Sequence, residues 1–206
     1  SLLLWLFSVC VIAQTANKQT PDLAFNHQYD SYFQTAYANY PNIPRGLLEA
    51  IAYTNTRMYH LSPTPEHSSC MGLPAYYGVM GLVENGKGWF RNNLLSAAQT
   101  AHVDANLMKQ SPEANILAFA DYINNLIQQN NATAANPLAL AQVIRLASEL
   151  PYNQAHAAND FAMNSHLYSV FYFLNNTNFQ AAYQLPKYQF NLKQIFGDSY
   201  GMVTAN

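Results

Sequence analysis

The sequence predicts a mainly helical domain with one small β-hairpin, and three observations support this fold class. Apolar side chains recur every three or four residues over most of the chain, which is the spacing of one face of an α-helix. Ser111 before Pro112 and Asn136 before Pro137 each combine a helix-capping side chain with a proline that the first helical turn tolerates. Further upstream, the turn dipeptide Asn85–Gly86 favours a short hairpin.

Length and composition limit the class of protein. A chain of 206 residues, 50% of them hydrophobic, is long enough for one well-buried core and short for two. The formal net charge is −2 and the nine Lys and Arg residues are scattered, so the sequence predicts no nucleic-acid partner. Charged residues make up only 10% of the chain. A surface that is polar mainly through neutral groups suits carbohydrate, although many neutral proteins share it.

The first residues have the pattern of a signal peptide. Leu2–Ile12 is an apolar run too short to span a bilayer as a helix, and Val11 and Ala13 stand at the two positions that a cleavage site requires. We therefore predict export to the periplasm or the extracellular space and no stable membrane insertion. The predicted organisation is a signal peptide over residues 1–13, a linker over 14–22 and one domain over 23–206.

The first helix is predicted from Leu23 to Tyr40. Aromatic residues recur along it at three- and four-residue spacing. At that period an aromatic stripe indicates core packing more often than a platform for sugars. Pro41 and Pro44 end the helix.

A second helix is predicted from Pro44 to His60. Asn55 lies on its apolar stripe, and a core-facing amide needs hydrogen-bond partners, so Asn55 is either locked in a network or lines a cleft. Glu49 points about 120° away from Asn55, because each helical residue turns about 100°. The sequence therefore places Glu49 on the solvated surface, where it could pair with Arg45.

The loop after this helix contains residue types that bind zinc. His60, Glu66, His67 and Cys70 lie close together in the sequence, but structural zinc sites usually draw paired ligands from two anchored elements. The sequence therefore favours no metal site here. Once the signal peptide is removed, Cys70 has no partner for an intrachain disulfide and is expected to be buried as a small hydrophobic residue.

The rest of the chain is predicted to be helical, except for a glycine-rich turn and the C-terminal end. Gly72, Gly78 and Gly81 indicate tight turns or close backbone approach. Near the end, Tyr188 and Phe190 alternate with polar residues and predict a short strand or an extended tail. The further predicted helices are Leu94–Ala101, Asp104–Lys109, one from Ser111, one from Asn136, and Ala157–Leu174.

Two segments have a family resemblance. LLEAIAYTNT and the following YYGVMGL resemble the LLxAIAxxES helix and GxxYGxMxL turn of lysozyme-like domains in lytic transglycosylases and related peptidoglycan hydrolases. With GKGWFRNNL included, Phe25 to Gly201 resembles more closely the region that precedes the catalytic domain in secreted N-acetylmuramoyl-L-alanine amidases of Bacteroidetes type. The resemblance implies a lysozyme-like fold that meets peptidoglycan glycan strands. It also implies a zinc amidase domain beyond the C-terminus, with no cofactor in this segment.

The resemblance puts Asn55 where the family has its general-acid Glu, and Thr56 where it has Ser. Three hypotheses remain open. The first is a module that binds glycan strands without cutting them, because an amide cannot protonate the leaving oxygen of a glycosidic bond. The second is an active muramidase or lytic transglycosylase with a displaced acid, for which Glu84 is the candidate. The third is a structural helical spacer. The predicted glycan contacts of the first are Asn55, Thr56, Tyr53, Tyr59, Tyr76, Tyr77, Gly78 and Met80.

Overall fold

The computed structural model describes residues 25–63, 74–87, 91–152 and 157–205. In this part of the chain the protein is mainly helical with a two-stranded antiparallel sheet, which confirms the predicted fold class. The elements in chain order are α1 (Asp30–Asn39), α2 (Leu47–Thr56), β1 (Tyr76–Tyr77), β2 (Leu82–Val83), α3 (Asn93–Ala101), α4 (Ala105–Gln110), α5 (Pro112–Asn130), α6 (Pro137–Ser148), α7 (Ala157–Asn175), α8 (Thr177–Ala182), α9 (Leu192–Phe196), a 3-10 turn (Gly197–Ser199) and α10 (Tyr200–Thr204).

Some of the predictions fall on residues outside the described ranges. They are the signal peptide over 1–13, the linker over 14–22, the tight turn or close backbone approach at Gly72, and the placement of Glu66, His67 and Cys70. These stay predictions.

The helix starts follow from capping side chains. Ser111 accepts a hydrogen bond from the amide of Ala114 at 3.2 Å, and a proline follows it in the first turn, as predicted. Asn136 does the same for α6, accepting from Ala139 at 3.2 Å. These contacts satisfy amides that the first helical turn leaves without a partner. The same kind of cap begins α4, α8 and α9, through Asp104, Asn176 and Asn191.

The core is built around α5, which packs against α1, α3, α4 and α6, while α7 packs against α2. Its largest side chains are 2% exposed or less; they include Phe33, Phe119, Phe171 and Phe179. One apolar cluster extends from Tyr29 to Phe196. Early and late segments of the chain therefore share the same interior, and α2 lies within it.

The first two helices are shorter than predicted. Helix α1 begins at Asp30 rather than Leu23. Gly46 precedes α2 with φ of 88°, and a Cβ at this position would lie 2.5 Å from the side chain of Leu185. After α2, Arg57 and Met58 have φ of 55° and 63°. Left-handed residues interrupt the helical hydrogen-bond pattern, so α2 cannot extend over the whole of Pro44 to His60.

The hairpin lies upstream of its predicted position. Tyr76 pairs with Val83 and Tyr77 with Leu82, so the chain reverses over residues 78–81. The prediction of a hairpin turn at Asn85–Gly86 is wrong. Those two amides instead donate to the carbonyl of Arg91, at 3.3 and 3.2 Å. Gly78 and Gly81, which both have positive φ, form the turn instead.

Of the two alternatives predicted near Tyr188 and Phe190, a short strand or an extended tail, the strand is wrong, because residues 186–191 have no regular secondary structure. The side chain of Asn175 donates to the Phe190 carbonyl at 2.9 Å and accepts from the Phe190 amide at 2.8 Å. One amide side chain thus supplies both bonds that a neighbouring strand would make. Helices α8, α9 and α10 were not predicted, since five or six residues are too few to show a helical period.

Candidate functional sites at the two ends of helix α2

Helix α2 has polar side chains at both ends and little polarity between them. Asn55 and Thr56 form its C-terminal end and Glu49 lies in its first turn. Eight of its ten residues are buried, Glu49 and Thr56 among them. Since burial of an unpaired polar group is unfavourable, each end requires its own hydrogen-bond network.

At the C-terminal end, α2 docks onto the hairpin turn. The Asn55 Nδ2 donates to the carbonyl of Met80 at 2.9 Å. The Thr56 hydroxyl lies 2.7 Å from the carbonyl of Val79 and 2.9 Å from that of Ala52. A hydroxyl has one proton, so Thr56 donates to one of these carbonyls at a time. Both side chains attach the end of the helix to the turn.

Asn115 holds the same turn from the opposite side. Its Oδ1 accepts from the Met80 amide at 2.8 Å, and its Nδ2 donates to the Met108 carbonyl at 3.1 Å. Asn115 is fully buried, and a Cβ on Gly78 would lie 2.1 Å from its amide group. The close approach therefore requires glycine at position 78. The sequence predicts no role for Asn115. Its position beside Ile116 in residues 111–116 indicates the buried face of α5, but only the fold brings it to the turn.

The structure thus brings together Asn55, Thr56, Gly78 and Met80, four of the predicted contact residues. Thr56 and Met80 are buried, and their polar groups bond to the protein itself. Asn55 is half-buried, so part of its amide reaches the surface. Contact of these residues with a glycan stays a prediction.

The predicted tyrosines differ in exposure. Tyr53 is 3% exposed, and its ring packs 4.7 Å from that of Phe173 and 5.6 Å from that of Phe179. It belongs to the core and has almost no surface for a ligand. Tyr59 and Tyr76 are 65% and 40% exposed.

Two cations cover rings near the hairpin. The Arg91 guanidinium lies 4.9 Å from the ring centre of Tyr76, and the Lys109 ammonium lies 5.0 Å from that of Tyr77. Lys109 also forms an ion pair with Glu84, the candidate displaced acid. In that pair Glu84 accepts a hydrogen bond from Lys109, whereas a general acid must donate one to the leaving group.

At the N-terminal end, the prediction of a solvated Glu49 is wrong. Glu49 is 7% exposed and lies against α1, where the Tyr37 hydroxyl donates to its Oε2. The same hydroxyl oxygen accepts from the amides of Gly46 and Leu48, at 2.8 and 3.2 Å. Tyr37 therefore caps α2 and satisfies the buried carboxyl together. Arg45 does not form the predicted surface pair; its guanidinium lies 4.9 Å from the ring centre of Tyr37.

This arrangement fixes the positions of two protons. The Tyr37 oxygen already accepts two N–H groups, so its single proton is directed to Glu49 Oε2. When Glu49 is protonated, its own proton then lies on Oε1. Burial raises the pKa of Glu49 to about 7, against the lowering effect of the Tyr37 hydrogen bond, its own backbone amide and Arg45. Burial and the neighbouring Glu49 raise the pKa of Tyr37 well above its usual value.

The burial of Glu49 has a signal in the sequence. The angle of about 120° puts Glu49 and Asn55 on different faces of the helix. That angle predicts exposure of Glu49 only if the rest of its face is polar. From Leu47 to Tyr53, Glu49 is the only charged or amide-bearing residue. A helix that is apolar all round is a buried helix, so its single carboxyl is expected to be buried with it.

An open pocket of about 80 Å³ adjoins Glu49. Its lining residues are Asp30, Gln34, Arg45, Glu49, Ala182, Tyr183 and Gln184. The wall from the C-terminal segment is anchored at two points. The Tyr183 hydroxyl donates to the Asn26 carbonyl at 3.0 Å, and the Tyr188 hydroxyl donates to the Arg45 carbonyl at 2.9 Å.

No protein-family model, curated protein or solved structure matches the chain. Within the described ranges, no three His, Cys, Asp or Glu side chains come together as a group that could hold a metal ion. In the same ranges, none of the helices combines the length and the apolar character that crossing a membrane requires. The geometry of the two ends of α2 is therefore the basis for a functional proposal.

Proposed function

We propose that this domain binds the glycan strands of peptidoglycan at the hairpin end of α2 and does not cut them. The observation that carries the proposal is the state of Asn55. The position that the family resemblance assigns to the general acid holds an amide, and that amide donates to the Met80 carbonyl of the hairpin turn.

The chemistry of glycoside cleavage supports binding over catalysis here. A sugar alkoxide is a poor leaving group, so a carboxylic acid must protonate it as the bond breaks. Asn55 has no such proton, and the nearby candidate Glu84 is paired with Lys109. A glycan-binding surface without an acid would hold a strand in place and leave it uncut.

Exposed aromatic rings near the hairpin supply the surface. Tyr59 and Tyr76 present apolar ring area together with a phenolic hydroxyl, a combination suited to the C–H faces and hydroxyl groups of sugars. The domain would act outside the cytoplasm, beside the zinc amidase domain that the resemblance implies.

The test is co-sedimentation of the purified domain with insoluble peptidoglycan sacculi, with mass spectrometry of any muropeptides released. We expect binding without release, weakened about tenfold or more by Tyr59→Ala with Tyr76→Ala. Tyr152→Ala is the matched control, since Tyr152 is 47% exposed and also lies beside an arginine, Arg145.

Two results would contradict the proposal. Released muropeptides would favour an active enzyme and direct attention to Glu84→Gln. Absence of binding, or equal loss in the control, would favour a structural spacer, in which Asn55 and Thr56 only fix the hairpin.

A further inference from the structure

The pocket beside Glu49 has no role in the proposed glycan site, which lies at the other end of α2. It combines side chains of both charges. Asp30 and Glu49 are the acidic ones, and the Oδ2 of Asp30 already lies 2.8 Å from His27 Nδ1; Arg45 is the basic one. Two amide side chains, Gln34 and Gln184, complete its polar lining. In the described part of the chain Arg45 has no carboxylate partner, so its guanidinium remains available for a ligand.

The charges exclude several classes of ligand. Asp30 and, once it is ionised, Glu49 would repel phosphate or sulfate, and Arg45 would repel a metal ion. A sugar ring needs an apolar face to pack on, but here the aromatic Tyr183 is 9% exposed and its ring packs against His27. A ligand with an ammonium group and a carboxylate matches both signs.

The volume limits the ligand further. About 80 Å³ is roughly half the size of an engineered cavity that accommodates benzene. Benzene has six heavy atoms, so the enclosed volume holds roughly three. A ligand of five or six heavy atoms, such as glycine or alanine, would therefore lie partly in the opening of the pocket.

We propose that this pocket binds a small α-amino acid, with its ammonium group against Glu49 and Asp30 and its carboxylate against Arg45. Glu49 is held with Oε2 on the Tyr37 hydroxyl, which leaves Oε1 for the ligand. An ammonium group requires the ionised carboxylate, so the proton on Oε1 leaves to solvent as the ligand binds.

This coupling gives the experiment its specific readout. Isothermal titration calorimetry with glycine and alanine at about pH 6, repeated in buffers of different ionisation enthalpy, counts the protons released. A carboxyl of pKa about 7 is roughly nine-tenths protonated at that pH, so we expect about 0.9 proton per ligand. At about pH 8 the release should fall to roughly 0.1.

Variants assign the contacts. Glu49→Gln should weaken binding tenfold or more and abolish proton release, and Arg45→Gln, an exposed position, should weaken it to a similar extent. Glu113→Gln is the matched control, because Glu113 is also a first-turn glutamate of a helix but is exposed. Far-UV circular dichroism verifies that each variant is folded. Methylamine and acetate, which each carry one of the two charges, should bind at least tenfold more weakly.

Three outcomes of the amino-acid titrations would overturn the proposal. They are no heat of binding up to about 10 mM amino acid, binding without proton release, and binding that Glu49→Gln leaves unchanged. Binding of N-acetylglucosamine in place of the amino acids would overturn it as well. None of these results depends on sacculus binding, so the two proposals fail separately.

Discussion

Both ends of helix α2 contain buried polar groups that need hydrogen-bond partners, and the two ends supply those partners with different chemistry. Asn55 and Thr56 satisfy buried backbone carbonyls with neutral side chains, which behave alike at every pH between about 4 and 9. The buried carboxyl of Glu49 accepts a hydrogen bond from the Tyr37 hydroxyl, and it can also lose its own proton. Amides fix geometry permanently, whereas a buried carboxyl couples the same helix to proton concentration and to any ligand that competes for the proton.

The hairpin end should be the more sensitive to backbone change. Gly78→Ala introduces a Cβ 2.1 Å from the Asn115 amide at φ of 71°. Left-handed strain of about 1–2 kcal/mol and two displaced buried hydrogen bonds predict a loss of about 4 kcal/mol in the free energy of unfolding. Urea unfolding of the wild type and of Gly78→Ala measures this difference in the free energy of unfolding.

Gly201→Ala is the control for this change. Gly201 lies in α10, and no atom lies within 4 Å of the position that a Cβ would take, so alanine should be neutral or stabilise by up to about 1 kcal/mol. Equal effects of the two substitutions would contradict the close packing at Gly78.

The Glu49 end should be the more sensitive to pH. Its pKa is about 7 in the folded protein against 4.5 as the ordinary value, so folding favours the neutral acid. The stability contributed by the neutral acid is present below pH 4.5 and is lost as pH rises to about 7. At about 1.4 kcal/mol per pKa unit, the loss is about 3 kcal/mol. Glu49→Gln should remove this slope and exceed the wild type in stability at about pH 8.

Charged and titratable groups around Glu49 come from three segments: Asp30 and Tyr37 from α1, Arg45 from the loop before α2, and Tyr183 and Tyr188 from the segment after α8. His166 gives a slope of opposite sign, because burial and then Arg91 lower its pKa to about 4, and stability falls as pH drops from 6.5. The difference between wild type and Glu49→Gln in urea unfolding cancels the His166 contribution. Parallel curves for the two proteins would rule out a raised pKa at Glu49.

The smallest expected effect compares two threonines. Thr56→Val removes the hydroxyl that bonds to the Val79 carbonyl across the helix–hairpin contact, and should destabilise the protein by about 1–2 kcal/mol. Thr35→Val is the matched control. Both threonine hydroxyls lie within hydrogen-bond distance of the carbonyl four residues earlier, but Thr35 is exposed and, among the described residues, makes no hydrogen bond to the hairpin. Its effect in thermal or urea unfolding should be within about 0.5 kcal/mol. A Thr56 effect as small as that of Thr35 would mean that the hairpin contact contributes nothing.

Local signals were sufficient for much of the fold. Ser111 and Asn136 predicted helix starts because a cap and a first-turn proline act within four residues. The hairpin was predicted as an element, but its turn was misplaced, since Asn85–Gly86 and Gly78–Gly81 both have turn chemistry and only Asn115, far along the chain, decides between them. The short C-terminal helices have too few residues to show a helical period in the sequence.

The candidate sites also differ in whether nearby or distant residues decide their structure. Asn55 and Thr56 lie together because they are neighbours on one helix, and their contact with a glycan stays a prediction. Glu49 was assigned to solvent because its neighbours Tyr37, Tyr183 and Tyr188 come from other segments of the chain, and helical angles alone do not describe what covers a face. Tyr53 and Tyr59 are equally aromatic in the sequence, yet one is in the core and the other is exposed.

The anchors from Tyr183 to Asn26 and from Tyr188 to Arg45 join residues 157 and 143 positions apart. Contacts so distant in sequence close late, because most of the chain must be ordered before they form. During synthesis on the ribosome, α1 and α2 emerge well before the segment that completes the wall of the Glu49 pocket. Until that segment arrives, Glu49 remains open to water on that side and ionises more readily. The protonation state of this carboxyl should therefore report when the whole chain has folded.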